Sequence, residues 1–446
     1  MRLRARAARA VGRRRFPGGD PPGEAAPVPA AEELWRSPAF EGEGGVLAAA
    51  RAGDGASARA LVDRWIDEHP PRDDDAWHPY PLSTRVGNWI AALTLVPELA
   101  SPELSGSLWR QLRRLEANVE DDVLGNHVIR NARALVLGGA AFEAPWLTRR
   151  GIDLLRRELP QQVLADGGHY GRSPVRHLVV LRDLLEVQAV SPHSWIGDAI
   201  GRMRDFAAAL ARPDGAPALF NDGGLDEAPL LELPEPPEGL VVFEHSGFAV
   251  VREGPLWLAF RCGPFPPAFL SAEAHADALS FQVWWNGAPV LVDAGAYTAE
   301  PGPERDRFRA TAAHSTIAVD GRDQLRLRGG RPPEVKFRFA REGVLEASIL
   351  LRRHVRHVRR LEWGGDEILV RDLLDGLRKH RIESRLLWAP GADERVELAV
   401  YGPGERHEEP AWVSERLGER AETRATTVRA RLKLPAELGF RIRCLE

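Results

Sequence analysis

Five short clusters of polar residues hold the side chains best suited to chemistry. Their histidines and tyrosines can move protons, their asparagine and arginines can hold an anion, and histidine with aspartate can bind a metal. A single histidine in a loop is more often a hydrogen-bonded structural residue than a catalyst. Five clusters that all fall in predicted loops or at element ends favour a functional site. The clusters are Gly125-Asn126-His127, Asp166 to Pro174 with Arg176 and His177, Glu273 to Asp277, Asp293 to Tyr297, and Ala312 to Thr316.

Helical periodicity dominates the first half of the chain. Apolar residues at helical spacing from Val86 to Leu93 predict one helix, which Ser83 or Thr84 would cap. Ser173-Pro174 is typical of a helix start. Further helices are predicted near 45–67, 102–118, 145–158 and 194–211. Similar lengths and short polar loops indicate antiparallel helix pairs.

After about residue 238 the periodicity becomes that of strands. Alternation from Phe281 to Trp285 is followed by Asn286-Gly287, which favours a two-residue hairpin turn. Similar patterns near 250–257, 335–339 and 361–370 predict further strands, so we expect a multidomain chain in which helices precede an antiparallel β-sandwich. The predicted boundaries are a disordered basic tail at 1–30, a helical domain at 31–215, a linker at 216–240 and the sandwich at 241–446.

Composition limits the classes of protein to which this chain can belong. Its 60 basic and 64 acidic residues give a net charge of −4, which argues against a dedicated nucleic-acid binder. No window approaches the ~18 apolar residues of a membrane span. Cys262 and Cys444 allow at most one disulfide. The arginine-rich start is followed by Pro and Gly instead of an apolar stretch, so the chain as given predicts no export signal and a cytoplasmic location.

At these clusters the sequence closely resembles the heparinase II/III-like polysaccharide lyases. The similarity covers roughly residues 60–325. It is carried by His275 to Phe281, Leu291 to Tyr297, Arg305 to Arg309 and Thr311 to Thr316, and upstream by Asp75 to Pro81, Arg85 to Ile90, Asn126 to Leu137 and Asp166 to Leu185. The resemblance implies an incomplete (α/α) toroid followed by an antiparallel β-sandwich, and it implies a family whose members are often exported.

The resemblance also implies β-elimination on a uronic-acid-containing polysaccharide, so the expected partner is an anionic polysaccharide. The proton at C5 of a uronic acid is barely acidic, and the neighbouring carboxylate must be neutralised before a base can remove that proton. Asn126 would neutralise the carboxylate, Tyr170 would act as base or acid, and His275 would act as base. The residues expected to bind the sugar chain are His127, His169, Arg172, Arg176, His177, Glu273 and Tyr297.

Some family members hold zinc with two histidines and one aspartate of the sandwich. His275, Asp293 and His314 fall on the matching positions, so we expect one zinc ion with a chiefly structural role. The alternative is a hydrogen-bonded cluster that orders the sandwich loops. The roles of His275 as base and as metal ligand exclude each other, because both use the same lone pair.

Two departures from the family pattern keep several functions open. Many relatives have His where Glu273 stands and Tyr where Arg176 stands. The first hypothesis is an active lyase whose substrate groove lies between the helical half and the sandwich. The second is a non-catalytic glycan-binding or exopolysaccharide-assembly protein that kept the lyase fold, which the departures favour if the missing residues are essential. The third is a hydrolase that draws two carboxylates from Asp166, Asp222 and Glu273.

Overall fold

The computed structural model describes residues 17–36, 45–121, 124–327 and 330–445. The chain divides into two compact units. The helical unit comprises the described residues of 1–163 together with 178–201 and 229–232. The β unit comprises 164–177, 202–228 and the described residues of 233–446. Two segments of the predicted helical domain, 164–177 and 202–215, therefore belong to the unit that contains the sheets.

Ten α-helices, most of them in the first half of the chain, occur among the described residues. They are α1 (Glu32–Arg36), α2 (Gly45–Arg51), α3 (Gly55–Glu68), α4 (Pro79–Leu95), α5 (Pro102–Ala117), α6 (Asn126–Ala141), α7 (Pro145–Gln162), α8 (Pro174–Val190), α9 (Ser194–Ala209) and α10 (Pro303–Arg309). The predicted stripe of α4 is confirmed, because Val86, Ile90 and Leu93 are all fully buried. Pro174 begins α8, as the Ser-Pro pair predicted.

The predicted cap of α4 is wrong. The helix begins at Pro79, one turn before Ser83 and Thr84, because the fixed φ of proline suits the first helical position. Ser83 Oγ donates back to the Pro79 carbonyl at 2.6 Å, and Thr84 Oγ1 donates to the Tyr80 carbonyl at 3.3 Å. Both hydroxyls therefore bond within the helix instead of capping it.

The predicted disordered tail at 1–30 is wrong for residues 25–30. Ala25, Val28 and the following Ala31 are buried in the helical unit. The Ala25 amide donates to Ser105 Oγ at 3.0 Å, and the Val28 amide donates to Thr94 Oγ1 at 2.9 Å. Small apolar residues between the prolines therefore pack on the helices, and side-chain hydroxyls satisfy their backbone. The arginine-rich start lies outside the described residues.

Fifteen antiparallel strands form three sheets in the described part of the chain. The strands are β1 (Gly239–Phe243), β2 (Phe248–Glu253), β3 (Leu256–Arg261), β4 (Phe281–Trp285), β5 (Ala288–Leu291), β6 (Ile317–Val319), β7 (Val335–Arg341), β8 (Val344–Leu350), β9 (Arg356–Gly364), β10 (Glu367–Asp375), β11 (Lys379–Leu387), β12 (Val396–Tyr401), β13 (Glu405–Val413), β14 (Ala421–Lys433) and β15 (Ala436–Cys444). The strand orders are β1-β2-β3-β4-β5, β12-β15-β10-β9-β8-β7 and β13-β14-β11-β6.

Side chains from all three sheets share one apolar core. Phe260 of β3, Ile382 of β11 and Phe440 of β15 belong to it and are fully buried. The predicted hairpin is confirmed as well. Asn286 and Gly287 have φ values of 50° and 74°, the left-handed geometry that the tightest hairpin turn requires.

Two loop-and-helix segments join the β unit through specific contacts. The Asp166 carboxylate accepts from the Ser246 amide at 2.8 Å and from Ser246 Oγ at 2.5 Å. Phe206, near the end of α9, packs in one apolar cluster with Phe248 and Trp257 of the five-stranded sheet. The first contact attaches the loop that contains Tyr170 to the sheets, and the second attaches the end of α9.

In the described ranges we find no helix with both the length and the apolar character needed to cross a bilayer. Cys262 and Cys444 are buried with free thiols, so the one disulfide that the sequence allowed is not formed.

Candidate functional site

Three potential metal ligands converge in the β unit. His275 lies in the loop before β4, Asp293 lies just after β5, and His314 lies just before β6. One ligand atom from each residue lies within 4.8 Å of the others, and all three side chains are buried. The tight turn between β4 and β5 makes these strands antiparallel neighbours, which accounts for the proximity of His275 to Asp293.

The donors of this group fit a metal ion. His314 Nδ1 and Asp293 Oδ2 are 2.8 Å apart. His314 Nε2 and both ring nitrogens of His275 are buried without a hydrogen-bond partner among the described residues. Buried polar atoms are rarely left unpaired, so three such nitrogens in one group call for a ligand.

Two of the three charge states suit a cation. The exception is His314, because burial opposes protonation of its ring but Asp293 outweighs this effect and raises its pKa, so that ring would have to release a proton to bind a metal. Burial lowers the pKa of His275, which favours the neutral imidazole that a metal needs. Burial opposes ionisation of Asp293, but the neighbouring His314 outweighs this effect and lowers the pKa of that carboxyl. A carboxylate and imidazole nitrogens are a ligand set that zinc commonly takes.

The Tyr170 loop, residues 166–173, is held in a narrow path. Gly167 has φ of 90°, and a Cβ there would come within 2.1 Å of the Arg202 carbonyl oxygen. A Cβ on Gly168 would come within 1.9 Å of Ser246 Oγ. Only glycine fits both positions, so the Gly-Gly pair lets the loop lie directly on its neighbours.

Tyr170 itself is more enclosed than its polar, glycine-rich surroundings predicted. It is 7% exposed, and its ring centroid lies 4.9 Å from that of His169 and 5.8 Å from that of Phe269. Arg172, with a left-handed φ of 53°, folds back so that Nη1 donates to the Tyr170 carbonyl at 2.8 Å. Arg172 therefore supports the loop backbone, whereas the sequence assigned it to the sugar chain.

His177 also supports the loop. Its Nε2 donates to the Met203 carbonyl at 2.9 Å, and its Nδ1 accepts from the His169 amide at 3.2 Å. Both ring nitrogens are thus used by backbone groups, so the predicted contact between His177 and substrate is not supported. His169 Nδ1 in turn accepts from the Gly171 amide at 3.3 Å. Burial lowers the pKa of His177 to about 4 and that of His169 to about 3.

The buried neutral His177 predicts acid sensitivity. A histidine of the unfolded chain takes up a proton near its ordinary pKa of 6.5, whereas folded His177 does so only near 4. The unfolded state therefore binds more protons between these values, and the free energy of unfolding should fall by about 3 kcal/mol as pH drops from 6.5 to 4. In His177→Gln, denaturant unfolding should show a flatter decline over the same range. An unchanged decline in the variant would exclude His177 as its source.

Asn221 joins the Tyr170 loop to the metal-ligand group. It is buried with a left-handed φ of 56°. Its Nδ2 donates to the Arg172 carbonyl at 2.8 Å, and its Oδ1 accepts from the His275 amide at 3.0 Å. Sequence reasoning missed this residue, although Asn221-Asp222-Gly223-Gly224 is a polar, glycine-rich segment of the kind that marks functional loops.

Asp222 extends the same connection. Its Oδ2 accepts from Arg305 Nη2 at 2.7 Å, and its Oδ1 lies 3.8 Å from His275 Nε2. Burial opposes its ionisation, but His275 and Arg305 outweigh this and lower the pKa of Asp222 to about 2. Its carbonyl accepts from Ser173 Oγ at 2.6 Å. An ionised, paired Asp222 is poorly suited to be the acid of a hydrolase.

Of the two departures from the family pattern, Glu273 lies in the loop before β4 and Arg176 lies in the first turn of α8. A Cβ built on Gly171 would lie 3.5 Å from Glu273 Oε2, which places that carboxylate against the Tyr170 loop. Arg176 Nη1 forms a 2.7 Å ion pair with Glu227, and both side chains are mostly buried. Arg176, which we expected to hold a substrate carboxylate, is therefore bound to the carboxylate of Glu227.

Three further candidates have contacts away from the Tyr170 loop. The ring of Tyr297 stacks on Phe308 with centroids 5.8 Å apart. Asn126 is the buried first residue of α6 in the helical unit. Beside it, His127 Nδ1 lies 3.1 Å from Glu120 Oε1, and its ring stacks on Tyr80 with centroids 4.1 Å apart. That Asn126 meets the same substrate as Tyr170 stays a prediction.

Comparison with known proteins relates both units to one family. The sequence model described as "Heparinase II/III N-terminus" matches residues 52–231, and the one described as "Heparinase II/III-like, C-terminal" matches residues 235–430. A solved structure titled "Crystal Structure of Heparinase III" is similar with a TM-score of 0.74 and 15% identity, over 90% of this chain and 75% of that one. The predicted fold, an incomplete (α/α) toroid followed by an antiparallel β-sandwich, is confirmed.

Two curated proteins are similar in sequence. A "Heparin-sulfate lyase" of Bacteroides stercoris is 26% identical over 247 residues, which are 45% of this chain and 36% of that protein. "FtsZ-localized protein C" of Caulobacter vibrioides is 28% identical over 298 residues, which are 62% of this chain and 51% of that protein. The matches thus span about a third and about a half of these two relatives.

Proposed function

Because this chain belongs to the heparinase II/III-like family, we propose that it is a polysaccharide lyase that cleaves a uronic-acid-containing anionic polysaccharide by β-elimination. The observation that carries the proposal is the double hydrogen bond of Asn221, which fastens the loop of Tyr170 to the backbone of His275. A proton-transfer group is thereby held on a rigid support, as acid–base catalysis requires.

In the proposed reaction, Asn126 hydrogen-bonds the carboxylate of the uronic acid and stabilises the charge that develops when the C5 proton leaves. Tyr170 takes that proton as the phenolate. The electron pair of the C5–H bond forms the C4–C5 double bond, and the C4–O bond to the departing sugar breaks. Tyr170, now protonated, or a solvent molecule gives a proton to the departing oxygen.

Of the two roles open to His275, we assign that of metal ligand. Its side chain is buried beside Asp293 and His314, and a lone pair that binds a metal cannot also remove a proton. Zinc held by these three residues would supply a cross-link between the loops that carry them. His275 then positions the Tyr170 loop through its backbone amide instead of removing a proton.

A second candidate function is that of a non-catalytic glycan-binding or exopolysaccharide-assembly protein with the lyase fold. Arg176 supports it, because it stands where many relatives have tyrosine and is engaged with Glu227. The similarity to "FtsZ-localized protein C", whose name states a location and no reaction, also favours this candidate.

A panel digest separates these functions. The full chain is incubated with heparan sulfate, chondroitin sulfate, hyaluronan, alginate and a neutral glucan, and near-ultraviolet absorbance is followed. We expect absorbance to rise with at least one uronic-acid polymer and not with the glucan. Binding of a polymer without any cleavage would favour the second function, and cleavage without absorbance would favour a hydrolase.

A further inference from the structure

One end of the β11–β14 strand pair carries a surface of exposed cations. We call this the cation surface and define it as Lys379, Arg381, Arg429, Arg431 and Lys433. All but Lys433 line a groove of about 810 Å³ whose other walls include Asp320, Gly404 and Glu405. The net charge of the whole chain is −4, so this concentration of positive charge is a local feature.

The register of the two strands places like charges opposite each other. The facing pairs are Lys379 with Lys433 and Arg381 with Arg431. Like charges directly opposite each other destabilise an antiparallel pair. The next outward pair of the same strands is Glu383 with Arg429, which carries opposite charges. On this face of the two strands, the residues of two successive pairs therefore repel each other and only those of the third pair attract.

Nearby acidic residues neutralise only part of this charge. Arg381 Nε lies 3.2 Å from Glu383 Oε1, and Arg429 pairs with Glu409. No ion pair with another described residue is formed by Lys379, Arg431 or Lys433. Three cations of the surface are therefore available to an external anion.

Two further acids, Asp320 and Glu405, lie at the groove. Asp320 Oδ2 lies 3.0 Å from His380 Nδ1, and its Oδ1 accepts from the Arg381 amide at 3.1 Å. Glu405 lies opposite Arg429 on β13, 3.9 Å from His407 Nε2. Facing like charges that nearby acids offset only in part destabilise the strand pair. Such a local cost is expected at a functional position.

We propose that the cation surface is a second binding site for an anionic polysaccharide chain. Neighbouring strands are about 4.8 Å apart, and outward residues of one strand are about 6.8 Å apart, so the cations form a grid that a polymer with repeating anions can cross. Each anion that settles between facing cations relieves their repulsion. The concave groove fits a single extended chain better than a flat bilayer or a wide nucleic-acid duplex. The choice of polysaccharide rests on the proposed function.

Binding of heparin to the full chain tests the proposal. Calorimetry across a salt series is run with Tyr170→Phe as the parent, so that cleavage does not interfere. Arg431→Glu is compared with Arg441→Glu, a matched charge reversal of an exposed arginine on β15 that faces Leu369 and Ala399. We expect Arg431→Glu to weaken heparin binding about tenfold more than the control and to lower the salt dependence.

The same variant should be more stable than its parent. Arg431→Glu replaces a like-charged pair with Arg381 by an oppositely charged one, so the melting temperature should rise while binding falls. Equal binding losses in both variants, or tighter binding to duplex DNA or to phosphatidylserine vesicles than to heparin, would overturn the proposal. Loss of heparin binding without any lyase product on the panel would leave this surface standing and reject the lyase. Lyase product on the panel, together with heparin binding that Arg431→Glu leaves unchanged, would support the lyase and reject the cation surface as a binding site.

Discussion

Replacing Tyr170 by phenylalanine should lower the turnover of the substrate polysaccharide by about 10²–10⁴-fold, the usual contribution of one positioned acid–base group. The phenyl ring keeps its contacts with His169 and Phe269, so the variant should fold. The measurement is the initial rate of absorbance increase at saturating substrate, together with the melting temperature.

Tyr401→Phe is the matched control for this change. Tyr401 Oη donates to the Val370 carbonyl at 2.9 Å in the six-stranded sheet, so the change removes a partly buried tyrosine hydroxyl away from the Tyr170 loop and leaves the rate unchanged. A Tyr170→Phe protein that turns over normally would remove Tyr170 from the mechanism. The base would then have to be sought among His169, Tyr297 and His275.

Purified protein should contain one zinc ion per chain, and chelation should lower its melting temperature. A metal that binds only the folded state at about a thousand times its Kd adds roughly 4 kcal/mol to the free energy of unfolding. His314→Ala should lose the zinc and, with it, the response to chelator. Metal analysis and thermal unfolding with and without chelator measure both effects.

His357→Ala separates loss of metal from loss of a buried histidine. His357 Nε2 lies 2.8 Å from Asp372 Oδ1 and is as buried as His314, but it lies outside the ligand group. The variant should be destabilised and still bind one zinc ion. If wild-type protein holds no zinc and ignores chelator, then His275, Asp293 and His314 are a hydrogen-bonded cluster, and His275 again becomes a candidate base.

Local sequence patterns predicted much of the fold, but they did not predict which distant strands pair with each other. The helix after Ser173-Pro174 and the hairpin at Asn286-Gly287 depend on neighbouring residues, so the sequence predicts them directly. The division of the strands into three sheets depends on partners far apart in the chain, such as Ala318 of β6 and Glu383 of β11. Periodicity contains no information about such partners.

The part of the site whose residues flank one hairpin was predictable. The part whose side chains are held by residues distant in sequence was missed. The resemblance to the family indicated His275 and Asp293, and the geometry of one turn explains why they meet. The supporting role of His177 depends on the Met203 carbonyl, and the engagement of Arg176 depends on Glu227. Neither partner is near in sequence, so both side chains looked available to substrate. Sequence reasoning did not identify Asn221, because its role is to hydrogen-bond backbone groups and its residue type alone does not indicate that role.

The mass of the cleavage products tests the central claim most directly. β-Elimination adds no water, whereas hydrolysis adds one water molecule for each bond cleaved. Digestion in ¹⁸O-labelled water should therefore yield an unsaturated product lighter than the hydrolysis product by one water molecule and free of label from the cleavage. A digest that contains saturated products only, with no unsaturated end, would contradict the proposal that this chain is a lyase.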